Sequence, residues 1–476
     1  MKNKIEGRDR SLGRSRNNSN NAINENINQR KKSNFENFVV PNYIIENGLR
    51  KVEPYDWNYE TFAKGRWLKK KVIDIYTDEF QAGSFAYYDA AINAGKILVN
   101  GDKISSGQLI TNGDLLTHIV HRHEPPVSAL PNIKVVYCSK NLLVVDKPPG
   151  LPVHPTGRYN QNTLTKVLEI EGFDSKSVIS NYKNYFKYDE ESGNGNSLVG
   201  NLEEHDLDSK SWKYSCVNRL DRLTSGVVLL ARTKEIANIM MEDMMNRNIT
   251  KAYVARVKGE FPIEEVVCAE PILTISHKMS VNMVSPKGKP CLTKFKRMSY
   301  NGLTSVVLCE PKTGRTHQIR VHLLYLGFPI ANDPIYCCSE VFGEEGGAKS
   351  ETQQDAILKK YKAAAFPLDK DDFHTINESK GGKDFVFDNE SMNNDSLSSI
   401  ESLVCQECKY PKEDPLPEQL MIYLHAFKYE KSGSWFFETE LPVWAEDDYT
   451  GDRILKERFW NYGGKWDGNI KCRILE

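Results

Sequence analysis

The pattern of apolar and polar residues predicts several helices and strands in the middle of the chain. A wholly apolar run from Val227 to Ala231 predicts a strand buried on both faces. From Lys234 to Asn246 apolar residues recur at helical spacing, and alternation from Ile249 to Val257 predicts a second strand. Residues 304–309 predict another strand, followed by a helix that ends at Gly327.

Further towards the N-terminus, a helix is predicted to run into a hairpin. The helix covers Asp89 to Ala94 and ends at Gly95, Lys96 to Val99 is a strand, and Asn100-Gly101 is a strong turn signal. This stretch resembles an S4-type RNA-binding module. The resemblance implies a small α/β unit over residues 55–127.

Shifts in composition divide the rest of the chain. An Asn-rich N-terminus lacks apolar periodicity, and two long polar tracts interrupt the body, as surface insertions do. We therefore predict a disordered basic arm at 1–50, the S4-like module at 55–127, a main domain at 132–450 with insertions at about 189–210 and 340–416, and a C-terminal extension at 451–476.

Two short motifs contain residues that commonly bind metals. His121 and His123 lie in a proline-stiffened linker, but no further ligand is found at a usable spacing in the sequence. Cys405-x-x-Cys408 supplies one pair, whereas a zinc site needs four ligands. We therefore predict no metal site, and zinc binding by the cysteine pair stays an open question.

The charge is distributed unevenly. The two insertions carry net charges of −6 (189–210) and −9 (340–418), which leaves +14 on the remainder of a chain whose net charge is −1. A basic body favours a polyanionic partner such as RNA, although charge that only aids solubility is the alternative. No apolar run approaches 18 residues, so we expect no membrane span. Ten scattered cysteines and no apolar signal segment favour the cytosol or nucleus, with mitochondria left open.

One carboxylate stands directly before the buried strand. Asp221 lies between Arg219 and Arg222, ahead of Thr224-Ser225-Gly226, and from these residues alone a loop cap and a reactive acid are equally good interpretations. The run from Arg219 to Gly226 resembles the Arg-Leu-Asp-x-x-Thr-Ser-Gly signature of RluA-type pseudouridine synthases. In that family the acid is the catalytic nucleophile, which implies this role for Asp221. Asn218 departs from the usual histidine.

Three further stretches resemble family motifs in the family's order. Val144 to Pro155 is similar to the first, Lys251-x-Tyr253 to the second, and Gly314 to His322 to the third. The resemblance implies that Tyr253 packs on the target uracil and that Arg320 pairs with Asp221. From the residues alone, core packing is the default interpretation of Tyr253. The stretch Gly314-Arg315-Thr316 also suits a phosphate-binding helix N-terminus with Thr316 as the N-cap.

The resemblance also carries expectations for the whole protein. It implies an α+β fold with a mixed, largely antiparallel central sheet flanked by helices. It also implies that the protein is a monomer with RNA as its partner, and that it uses no cofactor and no nucleotide cofactor. The element from His121 to Pro126, the S4-like region and Cys405-x-x-Cys408 ahead of Asp414-Pro-Leu-Pro look most like the eukaryotic branch that includes tRNA pseudouridine(32) synthases. That resemblance favours tRNA over mRNA or rRNA. The expected substrate-binding residues are Arg219, Arg222, Thr224, Arg315, His317 and Leu424.

Two other functional classes remain open at this point. One is an RNA-binding or RNA-folding protein without catalysis. The other is a glycosidase-like hydrolase, which would need a second carboxylic acid near Asp221. Attack by Asp221 at C6, attack at C1′ and a glycal route are not distinguished by sequence, and neither is the identity of the target uridine.

Overall fold

The centre of the fold, in a computed structural model, is a ten-stranded sheet. The structure describes residues 41–80, 83–129, 132–172, 213–276, 280–337, 339–342, 353, 355–360, 405–409 and 411–452. The predicted N-terminal arm falls largely outside the described residues. So do the 189–210 insertion, most of the 340–416 insertion and nearly all of the C-terminal extension.

The strands and helices follow the chain in this order. The strands are β1 Tyr43–Glu46, β2 Leu49–Val52, β3 Tyr55–Phe62, β4 Ile97–Val99, β5 Asp102–Lys103, β6 Leu115–Arg122, β7 Val127–Ser128, β8 Lys134–Cys138, β9 Leu142–Lys147, β10 Ser215–Cys216, β11 Ser225–Ala231, β12 Ile249–Lys258, β13 Val266–Cys268, β14 Ile272–Ser276, β15 Val281–Val284, β16 Thr293–Tyr300, β17 Thr304–Pro311, β18 Leu424–Lys431 and β19 Trp435–Glu438. The helices are α1 Val72–Ile75, α2 Phe85–Asn93, α3 Leu164–Glu171, α4 Lys234–Met245, α5 Gln318–Tyr325, α6 Ser339–Phe342 and α7 Gln406–Lys409.

The central sheet has the order β13-β16-β17-β12-β18-β11-β9-β8, with β10 on β11 and β19 on β18. Its named pairs are antiparallel except for β11 and β18, which are parallel. This confirms the predicted α+β fold with a mixed, largely antiparallel sheet. Within the part of the chain that the structure describes, no helix is both long and apolar enough to cross a bilayer.

Strand β11 is completely buried, as its apolar run predicts. In the parallel contact with β18, Gly226 pairs with Ala426 and has φ +114°. A Cβ at Gly226 would lie 2.3 Å from the backbone oxygen of Ala426. The two strands can therefore approach this closely only because glycine has no side chain. This contact holds the start of β11, directly after the Asp221 loop, against β18.

A smaller sheet, β3-β6-β4-β5, packs with α1 and α2 around its own core, which includes Trp67, Tyr88 and Ile97. The predicted helix and hairpin are confirmed: α2 ends before Gly95, and Asn100 and Gly101 both have positive φ in the β4–β5 turn. The described residues from Tyr43 onward form one compact unit. The S4 resemblance and the domain boundaries therefore stay predictions.

The linker between this sheet and the central one contacts the end of the second insertion. Potential ligand atoms of His121, His123, Cys405 and Cys408 all lie within 4.8 Å of one another. The two pairs, each incomplete by its spacing in the sequence, therefore come together in space, and the prediction of no metal site stays a prediction. Sequence spacing could not reveal this proximity, because a long segment separates the two pairs along the chain.

Candidate active site

The loop that carries Asp221 is fixed to the sheet on both sides. The N–H of Thr224 donates to the carbonyl of Asp221 at 3.1 Å and closes a turn. Asn218 then ties the loop to β11, because its side-chain amide donates to the Val227 carbonyl at 3.1 Å and accepts from the Leu229 N–H at 2.8 Å. Asn218, which departs from the family pattern, thus has a structural role, because it holds the loop against β11. Asp221 itself remains about one-third exposed, at 32%.

A buried lysine, Lys147, also holds the Asp221 loop by hydrogen bonds to backbone carbonyls. Lys147 is fully buried, and its Nζ donates to the carbonyls of Pro148 and Leu151 at 2.8 Å and of Arg222 at 3.2 Å. Burial lowers the pKa of Lys147 to about 7, with Arg222 acting in the same direction. The ammonium joins the first family motif to the Asp221 loop. The sequence contained this lysine inside a motif but gave no sign of what it holds.

Arg320 lies in α5 and binds two carboxylates at once. Its Nη1 donates to Oδ2 of Asp221 at 3.0 Å, while Nε and Nη2 donate to Asp333 at 2.6 and 2.9 Å. Arg320 is 3% exposed, so the pairs are shielded from water on the arginine side. The Asp221–Arg320 pair implied by the resemblance is present. Asp333 was not predicted, because an acid in an Asn-Asp-Pro turn usually only shapes the turn.

These contacts determine the charge of Asp221. Burial raises the pKa of Asp221, but His317, Arg320 and the hydrogen bond from Arg320 outweigh burial, and the net pKa lies below the ordinary 3.8. Burial and the adjacent Arg320 lower the pKa of His317 to about 4, so at neutral pH its ring is neutral and no longer contributes a positive charge at Asp221. Arg320 is therefore the cation that keeps Asp221 ionised.

His317 reaches the same carboxylate from the start of α5. Its Nε2 lies 3.6 Å from Oδ2 of Asp221, and its Nδ1 is 2.9 Å from the hydroxyl of Tyr336. His317, with φ +55°, is the N-cap residue of the helix, so the prediction of Thr316 as N-cap is wrong. The left-handed backbone turns the imidazole towards Asp221, while Thr316 is exposed.

Gln318 organises the turn that precedes this helix. Its Oε1 accepts from the Thr313 hydroxyl at 2.8 Å and from the Arg315 N–H at 3.0 Å. Its Nε2 donates to the Leu292 carbonyl and the Thr293 hydroxyl. Gln318 thus fixes the loop before α5, and the helix itself begins without a side-chain capping hydrogen bond. The Arg315 side chain remains exposed, near the carbonyl of Pro290.

Tyr253 lies in β12 where the sheet is irregular. The register between β12 and β18 shifts between Ala252 and Tyr253, and such bulges redirect a side chain. The Tyr253 hydroxyl is 2.7 Å from that of Tyr429. Burial, Tyr429 and the Asp221 carboxylate together raise the pKa of Tyr253 well above 10. The phenol is therefore neutral and close to Asp221.

The other predicted substrate-binding residues differ in exposure. Arg219 is exposed, whereas Arg222 is partly buried with its guanidinium 5.7 Å from the Tyr159 ring centroid. Thr224 is 2% exposed and Leu424 is 4% exposed within an apolar cluster. Contacts of all four with substrate stay predictions.

The site presents an ionised, accessible carboxylate beside a neutral phenol and a neutral imidazole. That arrangement suits nucleophilic attack by Asp221. A glycosidase would need a second carboxyl group able to donate a proton. Asp333 is fully buried and bound by Arg320, which lowers the pKa of Asp333 despite burial. Asp333 is therefore unsuited to that role.

Comparisons with known proteins show the family to which the chain belongs. The family model described as RNA pseudouridylate synthase matches residues 141–325. The chain is 35% identical over 460 residues to human "Pseudouridylate synthase RPUSD2", covering 88% of this chain and 77% of that protein. It is 37% identical over 414 residues to "tRNA pseudouridine(32) synthase, mitochondrial" of Saccharomyces cerevisiae, covering 84% and 78%. It is 32% identical over 446 residues to "tRNA pseudouridine(31) synthase" of the same yeast, covering 85% and 97%.

Proposed function

Because this chain belongs to the RluA-type family of RNA pseudouridine synthases, we propose that it converts one uridine of a tRNA to pseudouridine with Asp221 as nucleophile. The enzyme is an isomerase that acts on RNA. The observation that supports the proposal for the site is the hydrogen bond from Arg320 to Asp221. Asp333 fixes the Arg320 side chain by accepting two further hydrogen bonds from it.

Two similarities support tRNA as the substrate. Both yeast relatives are named for a tRNA position, 32 in one and 31 in the other. These neighbouring positions favour a uridine at 31 or 32 over one in mRNA or rRNA. The mitochondrial name of one relative keeps that compartment open beside the cytoplasm and nucleus. The monomeric state remains a prediction.

The reaction needs no net oxidation and no added atoms. The C1′–N1 bond breaks, the uracil rotates, and a C1′–C5 bond forms; C5 then loses its proton to solvent and N1 gains one. Asp221 supplies the nucleophile and Arg320 keeps it anionic before the reaction. Tyr253 offers its ring to the uracil, and its raised pKa keeps the phenol protonated.

The target base must leave the RNA stack to reach Asp221. Flipping costs a few kcal/mol and is easiest for a base that is poorly stacked or unpaired. The exposed side chain of Arg219 lies two residues before Asp221 and enters the space that the base leaves. Arg315 is also exposed, at the turn before α5, where it contacts the phosphate backbone.

Mapping of pseudouridine tests this substrate directly. Unmodified total RNA is incubated with the purified protein and with its Asp221→Asn variant, and pseudouridine is mapped at single-nucleotide resolution. We expect new pseudouridine at position 31 or 32 of tRNA with the wild-type protein alone. Sites confined to rRNA or mRNA would overturn the tRNA assignment. RNA binding without any pseudouridine would favour the non-catalytic RNA-binding protein.

A further inference from the structure

Two pairs of metal-binding side chains meet at a place remote in sequence from the Asp221 loop. His121 is in β6 and His123 directly follows that strand, so the two-residue period of extended backbone puts both rings on one side. Cys405 precedes α7 and Cys408 lies within it, and a spacing of three places both thiols on one face. The four ligand atoms lie within 4.8 Å of one another.

The spacing fits a single tetrahedral ion. Zinc bonds of about 2.3 Å to sulfur and 2.0–2.1 Å to nitrogen put tetrahedral ligand atoms about 3.3–3.8 Å apart. Nε2 of His123 is 3.2 Å from Sγ of Cys408, close to that range. An iron–sulfur cluster with two histidines would place the pairs on separate iron atoms, which does not suit one compact group. Two thiolates would also balance the charge of Zn²⁺.

A carboxylate behind His121 orients it for this role. Nδ1 of His121 is 3.2 Å from Oδ1 of Asp56, and a carboxylate only accepts, so Nδ1 carries the proton. Nε2 is then left with its lone pair for a metal. Histidine ligands of zinc commonly have such a carboxylate partner. Asp56 is itself held by Lys96 at 2.9 Å.

We propose that His121, His123, Cys405 and Cys408 bind one structural zinc ion. The ion fastens the C-terminal end of the second insertion to the linker between the two sheets. A salt bridge between Arg158 and Glu407 spans the same junction, and Arg158 also lies 3.5 Å from the His123 carbonyl. These polar contacts are partly exposed, so they stabilise the junction weakly on their own.

The zinc site also steadies a loop that reaches the catalytic motif. Glu124, next to His123, accepts the backbone N–H groups of Asn160, Gln161 and Asn162 at 2.8–2.9 Å. Tyr159, which precedes that group, packs beneath the guanidinium of Arg222. A metal that fixes residues 121–123 therefore fixes the carboxylate that shapes this loop. The role is structural, because none of the four ligands contacts Asp221.

Metal content tests the proposal. The full chain is purified without a metal-chelating tag, and zinc is measured by mass spectrometry. We expect about one zinc per chain in the wild type and in Cys216→Ala, and below about a tenth of that in the Cys405→Ala/Cys408→Ala double variant. Equal zinc in the double variant and Cys216→Ala would overturn the site. So would a wild-type protein that cannot be loaded with zinc, or that has a Cys405–Cys408 disulfide under reducing conditions.

Two further measurements remain decisive if the double variant does not fold. His123→Cys keeps four ligands and should retain zinc, and Asp56→Asn should lower zinc affinity about 10–100-fold. Wild-type protein stripped by a chelator and refilled with Co²⁺ should show the visible absorption of tetrahedral cobalt with thiolate charge transfer. Octahedral cobalt without thiolate bands, or zinc affinity unaffected by Asp56→Asn, would contradict the proposed ligand set.

Discussion

Asp333 holds the Arg320 side chain through two hydrogen bonds, to Nε at 2.6 Å and to Nη2 at 2.9 Å, and leaves Nη1 facing Asp221. The N–H groups of Ile335 and Tyr336 fix Asp333 in turn, at 2.9 and 3.0 Å. The direction of the guanidinium at Asp221 is therefore set by a residue that does not face the substrate. Asp333 is a positioning residue.

Asp333→Asn should lower turnover more than RNA binding. The amide keeps the shape of the side chain but loses the charge and one acceptor that orient Arg320. We expect kcat to fall about 10–100-fold, as small misplacements of catalytic groups do, while the Kd for RNA stays nearly unchanged. Single-turnover rates and filter binding measure the two. Asp448→Asn, an exposed acid, is the control. A loss confined to RNA binding would contradict the positioning role.

Arg320→Met should make activity depend on pH. In the wild type the pKa of Asp221 is below 3.8, so the carboxylate stays ionised above about pH 5. Without the cation, burial dominates and raises that pKa, and activity is lost as the pH falls through it. In a rate–pH profile, the ratio of Arg320→Met activity to wild-type activity should therefore increase from pH 6 to pH 8.5.

Two controls accompany that profile. The Arg320→Met/Asp333→Asn variant avoids leaving Asp333 buried and unpaired, and should show the same pH dependence. Arg247→Met, at an exposed arginine, should follow the wild-type profile. An Arg320→Met profile parallel to that of wild type would mean that Arg320 does not control the ionisation of Asp221.

Lys147→Met should weaken both folding and catalysis. Three backbone carbonyls would lose the donor that joins the first motif to the Asp221 loop. We expect the free energy of unfolding to fall by about 1–3 kcal/mol, with the loss limited because a buried ammonium is costly. Urea unfolding measures it, and Lys140→Met, at an exposed lysine, should be nearly neutral. Equal effects of both changes would show that the lysine does not support the loop.

Gly226→Ala should lower the free energy of unfolding far more than Gly302→Ala does. Both glycines have positive φ, +114° and +89°, so both variants carry backbone strain of about 1–2 kcal/mol. Only at position 226 would the new Cβ meet backbone, 2.3 Å from the Ala426 oxygen, whereas position 302 is open. We expect separation of β11 from β18 and a loss at least twice as large in thermal or urea unfolding. Similar losses would argue against the close strand contact.

The sequence predicted the central elements well because their signals are local. The apolar run of β11, the spacing of α4 and the alternation of β12 each depend on neighbouring residues, and each element is present. The Asp221–Arg320 pair came from the family resemblance, since no local pattern joins residues 99 positions apart.

What the sequence could not predict depends on tertiary contacts. Asp333 is an ordinary turn residue until Arg320 is brought against it. The left-handed backbone of His317 replaced the expected Thr316 cap because Gln318 bonds the preceding loop instead. Likewise, two incomplete metal motifs form one group only when β6 and the end of the second insertion meet.

Tritium release from tRNA containing [5-³H]uridine tests the central claim most directly. Pseudouridine formation exchanges the C5 hydrogen, so wild-type protein and Asp448→Asn should release tritium at equal rates. Asp221→Asn should bind the RNA with wild-type affinity and release tritium no faster than RNA without enzyme. Tritium release by Asp221→Asn at the wild-type rate would contradict the assignment of Asp221 as the nucleophile.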